Sequence, residues 1–169
     1  MSTAAPSPAP SATTPAPAAV PTLLVVHHTT SPALQTLLES ALAGIRADGV
    51  GELDVQVRPA LAATAVDVLA ADGFLLGTSA NIGYMSGALK HFFDMVYYPC
   101  LTAKIGAPYG LYVHGNNDTA GAVRAVEAIA KGMGWRAVHD PLTVIGSPDR
   151  DARDAVWELA ATVAATVAD

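Results

Sequence analysis

The chain has 169 residues, 51% of them hydrophobic and only 14% charged, with a net charge of −6. That is the core of one compact domain, and the nine Lys and Arg form no basic block, which excludes the electrostatic footprint of a nucleic-acid binder. A single cysteine, Cys100, excludes a disulfide framework and a cysteine zinc site, and no apolar run is long enough to span a bilayer.

Residues 1–20 are dominated by Ala, Pro, Ser and Thr, with neither a basic start nor a sustained apolar stretch. They read as a disordered tail rather than a signal peptide, and the cytoplasm is the simplest compartment. Residues 21–169 form the folded domain. Thr22–His27 is an apolar, β-branched first strand. Ser31-Pro32 then signals a helix start, and Leu34, Leu37, Leu38, Ala41, Leu42 and Ile45 trace its inner face. Leu53–Arg58 alternates apolar with polar, which places this second strand at a sheet edge. A short helix around Thr64–Ala71 follows.

Gly73–Gly77 is dense enough for a strand buried on both faces. It breaks at Thr78–Gly83 into a loop of small and polar residues. Ser86 caps the next helix, whose apolar stripe is Leu89, Phe92, Phe93, Val96 and Cys100. On that stripe Cys100 is a buried, inert thiol. Pro108–Val113 is the fourth strand and His114–Asp118 its exit loop. Asp118 or Thr119 caps a helix ending at Gly132 and Gly134. Leu142–Ile145 is the fifth strand, and Ser147-Pro148 repeats the cap-plus-proline signal before the last helix.

Strands alternate with helices throughout, which predicts a parallel sheet covered on both faces, in the order 2-1-3-4-5. The loops after strands one, three and four then share the carboxyl edge, where such sheets bind ligands. Missing motifs exclude several occupants: there is no G-x-x-x-x-G-K-[ST], no G-x-G-x-x-G, and Asn81 stands where a nucleophile elbow needs its second glycine. What remains is a helix N-terminus with the hydroxyls of Thr29, Thr30 and Ser31, able to hold an anion without basic residues. Two amide-rich loops, Thr78–Tyr84 and His114–Asp118, can flank a flat polar ring. His27 and His28 lack the carboxylates a metal pair requires, and Lys90 with Asp94 reads as a solvated i, i+4 pair.

The run Gly83-x-Met85-Ser86-Gly87-x-Leu89-Lys90-x-Phe92-x-Asp94, with His114-Gly115 downstream, resembles the flavodoxin-like NADPH-dependent FMN reductase family. The resemblance covers the chain from about Thr22 onward and implies a flavodoxin-like three-layer α/β sandwich. It implies FMN as cofactor, NAD(P)H as electron donor and a small acceptor such as a quinone. It places the FMN phosphate at Thr29, Thr30, Ser31 and Pro32. By the same resemblance the isoalloxazine would lie along Thr78, Ser79, Ala80, Asn81, Ile82, Gly83 and Tyr84, and its pyrimidine side would meet His114, Gly115, Asn116, Asn117 and Asp118. No catalytic side chain is implied, since flavin carries the chemistry. The phosphate loop departs from the family's [ST]-x-T-G-x-[ST], and only Thr30 matches clearly. Two rivals stand beside the reductase: a non-enzymatic electron carrier, and a scaffold that has lost flavin. Relatives with this fold often form dimers or tetramers, and the sequence leaves open whether this chain forms a homodimer or tetramer.

Overall fold

The computed structural model describes residues 19–169, and the tail expected over residues 1–20 lies almost wholly outside them. The elements run β1 (Thr22–His27), α1 (Pro32–Ile45), β2 (Asp54–Pro59), α2 (Ala65–Ala70), β3 (Gly73–Asn81), β4 (Tyr84–Met85) and α3 (Gly87–Cys100). They continue with β5 (Pro108–Gly115), α4 (Ala120–Gly132), β6 (Arg136–Ala137), β7 (Leu142–Ile145) and α5 (Arg150–Ala168). Parallel pairing gives β2-β1-β3-β5-β7, the expected doubly wound order, with the two-residue strand β6 also on β5.

Each face of the sheet carries its own core. Leu24, Val26, Phe74, Leu76, Leu111 and Val113 point toward α2, α3 and α4, where Phe92, Phe93 and Trp135 fill the centre. Leu23, Val25, Leu75 and Tyr112 point toward α1 and α5. Alternate residues of one strand thus serve opposite layers, and central strands read as unbroken apolar runs. Cys100 is fully buried, and burial pushes its thiol pKa up.

Capping follows the sequence at most helices. Ser31 Oγ accepts from the Leu34 N–H, and Ser86 Oγ from the Leu89 N–H. Thr64 and Asp67 close a capping box on α2. The last helix is a correction: its cap is Asp149, whose Oδ1 accepts from the Ala152 N–H at 2.8 Å, so Ser147 is left for another role. At α4 the cap residue Thr119 makes no side-chain bond, and Asp118 Oδ1 accepts from the Ala120 N–H instead.

The larger correction concerns Thr78–Gly83. Thr78 to Asn81 extend β3, and the chain reverses through Ile82 and Gly83 into β4, pairing Asn81 with Tyr84 and Ala80 with Met85. Both turn residues have positive φ, 50° for Ile82 and 72° for Gly83, the geometry of a two-residue type I′ hairpin. A β-branched residue is strained there, and Ile82 is fully exposed with no packing to compensate. Ile82→Asn should therefore raise the unfolding free energy by about 1 kcal/mol, read as a higher urea midpoint at unchanged slope.

Candidate functional site

The carboxyl ends of β1, β3, β5 and β7 surround a cavity of about 400 Å³. Its walls are Thr30–Leu34 at the start of α1, Ser79–Asn81 at the end of β3, His114–Asn116 at the end of β5, and Gly146-Ser147 after β7. A second cavity of about 340 Å³ lies between Ile82-Gly83 and Asn116–Asp118. The two share Ala80 and Asn116, so they adjoin across one wall. Both fall in the size range of small-molecule sites.

Parallel topology explains the convergence, because every strand of the pathway delivers its exit loop to the same edge. Gly115 sits where a Cβ would come within 3.0 Å of Thr119 Cγ2 and 3.4 Å of Ala80 Cβ, so the absence of a side chain there keeps the shared wall thin. The hairpin is fixed against α4: a Cβ on Gly121 would stand 1.9 Å from the Gly83 carbonyl oxygen. Backbone therefore meets backbone at that contact.

Of the expected binding residues, Thr30, Ser31, Pro32, Ser79, Ala80, Asn81, His114, Gly115 and Asn116 line the first cavity. Ile82, Gly83, Asn117 and Asp118 line the second, together with Ala80 and Asn116. Three line neither. Thr29 shares a 2.9 Å hydrogen bond with His27 Nδ1, which turns its hydroxyl back toward β1. Thr78 is fully buried and accepts from the Ser86 N–H at 3.2 Å, tying β3 to the start of α3. Tyr84 lies on β4 and is partly exposed. Ala33, Leu34, Gly146 and Ser147 join the first cavity unannounced. The readable signal for the last two was position, since Leu142–Ile145 ends at the same edge as the other parallel strands.

The first cavity is lined by no carboxylate, lysine or arginine. Its polarity comes from the first turn of α1. Pro32 has no N–H, the Leu34 N–H goes to Ser31 Oγ, and the Gln35 N–H goes to the Ser31 carbonyl. Among the described residues no acceptor takes the Ala33 N–H, which together with the helix dipole suits an anion. Ser79 adds a second unmet group: its Oγ is buried and has no partner. In register, Ser79 stands opposite His114.

His114 is committed elsewhere than expected. Its Nε2–H donates to the Gly146 carbonyl at 2.7 Å, while the Gly146 N–H donates to the Gly115 carbonyl at 2.8 Å. This pair clamps the Gly146-Ser147 wall onto β5 and fixes Nδ1 as the acceptor of the neutral ring. At the exit of β1, burial and the neighbouring His28 hold His27 below the usual histidine pKa. Among the described residues there is no cluster of three metal-ligating side chains, and no helix is long and apolar enough to cross a membrane.

Solved structures share this architecture of a parallel sheet between two helical layers. An archaeal flavodoxin superposes with a TM-score of 0.73 at 19% identity, covering 86% of this chain and 98% of that one. The fold is flavodoxin-like. A flavodoxin, WrbA-like protein from Agrobacterium tumefaciens superposes with a TM-score of 0.71 at 16% identity, over 87% of this chain and 97% of that one. Rubredoxin:oxygen oxidoreductase from Desulfovibrio gigas carries the flavodoxin-like unit within a longer chain, at TM-score 0.72 and 12% identity, covering 88% of this chain and 37% of that one. No protein-family model matches the sequence, and no curated protein is detectably similar to it.

Proposed function

We propose that the domain binds FMN and acts as an NAD(P)H-dependent flavin oxidoreductase that passes electrons to a small acceptor such as a quinone. The carrying observation is the pair of adjoining cavities at the carboxyl edge, with an unmet helix N–H in one and an orphaned Ser79 hydroxyl on its wall. The phosphate belongs at Thr30, Ser31 and Ala33, where the Thr30 hydroxyl and the dipole of the 14-residue helix supply what basic residues do elsewhere. Ser79 and Asn81 suit the hydroxylated linker, and the ring belongs between Ala80–Gly83 and Asn116–Asp118.

Bound flavin would supply the hydride-accepting ring, and the chain's part is to hold, orient and shield it. Asn116 and Asn117 offer amide donors and acceptors to a ring edge. No Phe, Tyr or Trp lines either cavity, so neither ring face would be covered by an aromatic side chain. An uncovered face admits a nicotinamide or a quinone, and this favours a reductase over a carrier that stacks aromatics on its flavin.

Purified protein incubated with FMN and then desalted should keep the visible flavin bands, and NAD(P)H should bleach them in the absence of any partner protein. Thr30→Ala should weaken FMN retention about tenfold, the loss of one charge-assisted hydrogen bond. Absence of retained flavin at high added FMN would overturn the proposal. Retention without bleaching would leave an electron carrier.

A further inference from the structure

We infer that the groove between α3 and α4 is a docking site for the chain's own proline-rich N-terminal segment. The groove lies on the face opposite α1 and α5, shares no lining residue with either site cavity, and is lined by Lys90, Phe93, Asp94, Tyr97, Tyr98 and Ile129. Its volume of about 240 Å³ is below the range typical of small-molecule sites, which argues for a few residues of peptide rather than a cofactor. Phe93 is the buried floor. Tyr97 and Tyr98 stand edge to face, centroids 5.3 Å apart at 85°, and make a right-angled aromatic corner. Tyr97 is seated on α4, where a Cβ on Gly132 would fall 2.5 Å from its hydroxyl, while Tyr98 is 81% exposed.

Aromatic-lined apolar grooves are what proline-rich peptides recognise, since proline presents a rigid ring and fixes φ at little further entropic cost. Residues 1–18 carry five prolines, at positions 6, 8, 10, 15 and 17, and no charged side chain. An uncharged segment suits this groove, because its only charges, Lys90 and Asp94, already pair with each other.

The topology puts the tether and the aromatic corner of the groove at one end of the molecule. The chain joins the sheet at the amino end of β1, where the Thr22 N–H donates to Asp72 Oδ2 at 2.8 Å. Helix α3 starts at the carboxyl edge and returns, so Tyr97 and Tyr98, near its end, reach that same amino edge. Eight residues, 11–18, separate Pro10 from the first described residue, a contour of at most roughly 28 Å. On that tether, Pro6, Pro8 and Pro10 are the residues we place at the aromatic corner of their own chain.

The test is a nuclear Overhauser spectrum of the labelled full-length chain, with sedimentation velocity across a concentration series. Contacts between the Tyr98 ring protons and the ring protons of Pro6, Pro8 or Pro10 are expected, independent of concentration in a monomeric sample. They should vanish both in Tyr98→Ala and in a chain carrying Pro6→Ser, Pro8→Ser and Pro10→Ser. Tyr98 ring resonances that are identical in the wild type and the triple serine variant would overturn the inference. Concentration-dependent association abolished by Tyr98→Ala would overturn it too, by assigning the groove to a second copy.

Discussion

Gly77→Ala should destabilise the domain by about 3 kcal/mol, a fall in Tm of roughly 6–12 °C for a domain of this size. Gly77 lies on β3 directly opposite Tyr112 of β5, and both face α1 and α5. A Cβ at Gly77 would stand 2.1 Å from Tyr112 Cζ and 2.2 Å from its hydroxyl oxygen. Tyr112 is fully buried, so its ring has nowhere to retreat. Burial also drives its pKa far up, and its hydroxyl has no partner. The residue is there to fill the hollow above a glycine, at the expense of an unmet hydroxyl. Tyr112→Leu in the Gly77→Ala background should therefore recover about 1–2 kcal/mol relative to the sum of the two single changes. Chemical denaturation of the four proteins measures this coupling, and additive losses would refute the account.

Ser31→Asp should leave the fold intact and weaken FMN binding by about 100-fold or more. Aspartate caps a helix as well as serine does, so α1 keeps its bond to the Leu34 N–H. The new carboxylate would stand in the cavity at the proposed phosphate position. Like charges placed together cost several kcal/mol, and each 1.4 kcal/mol is about tenfold in affinity. Riboflavin, which has no phosphate, should change by less than about threefold. Fluorescence titration with both flavins separates the outcomes. An equal loss for both would move the phosphate away from α1.

The layer order was legible because parallel central strands are covered twice and so read as short apolar runs, Thr22–His27 and Gly73–Gly77 among them. The edge position of Asp54–Pro59 was legible from alternation in the same way. The hairpin was not. Thr78, Ser79 and Ala80 are small or polar and look like a loop, yet Thr78 and Ser79 are buried and continue the parallel pairing with Val113 and His114 of β5, which the local pattern does not encode. The turn that closes it uses Ile82 in place of the asparagine or aspartate that would have announced it. At the site, position was readable from topology, but the use of each side chain was not. Thr29 and Thr30 are adjacent hydroxyls, and only the bond to His27 takes one of them out of the cavity. His114 looked available for a ligand, and a carbonyl from a distant loop, Gly146, occupies its Nε2–H.

The contact of Gly121 against the Gly83 carbonyl limits how this scaffold can be adapted. A rotamer change can relieve a crowded side chain, but no such freedom exists where main chain rests on main chain. Lengthening the two-residue turn would break the pairing of Asn81 with Tyr84 or push the tip off α4. The hairpin wall of the second cavity thus cannot be reshaped by inserting or deleting residues, the usual way loops diversify. On that wall the adjustable part is the side chain at position 82, which borders the cavity and is held by no packing. On the hairpin side one codon, rather than a loop length, is the dial by which a related or engineered chain would retune what this slot accepts.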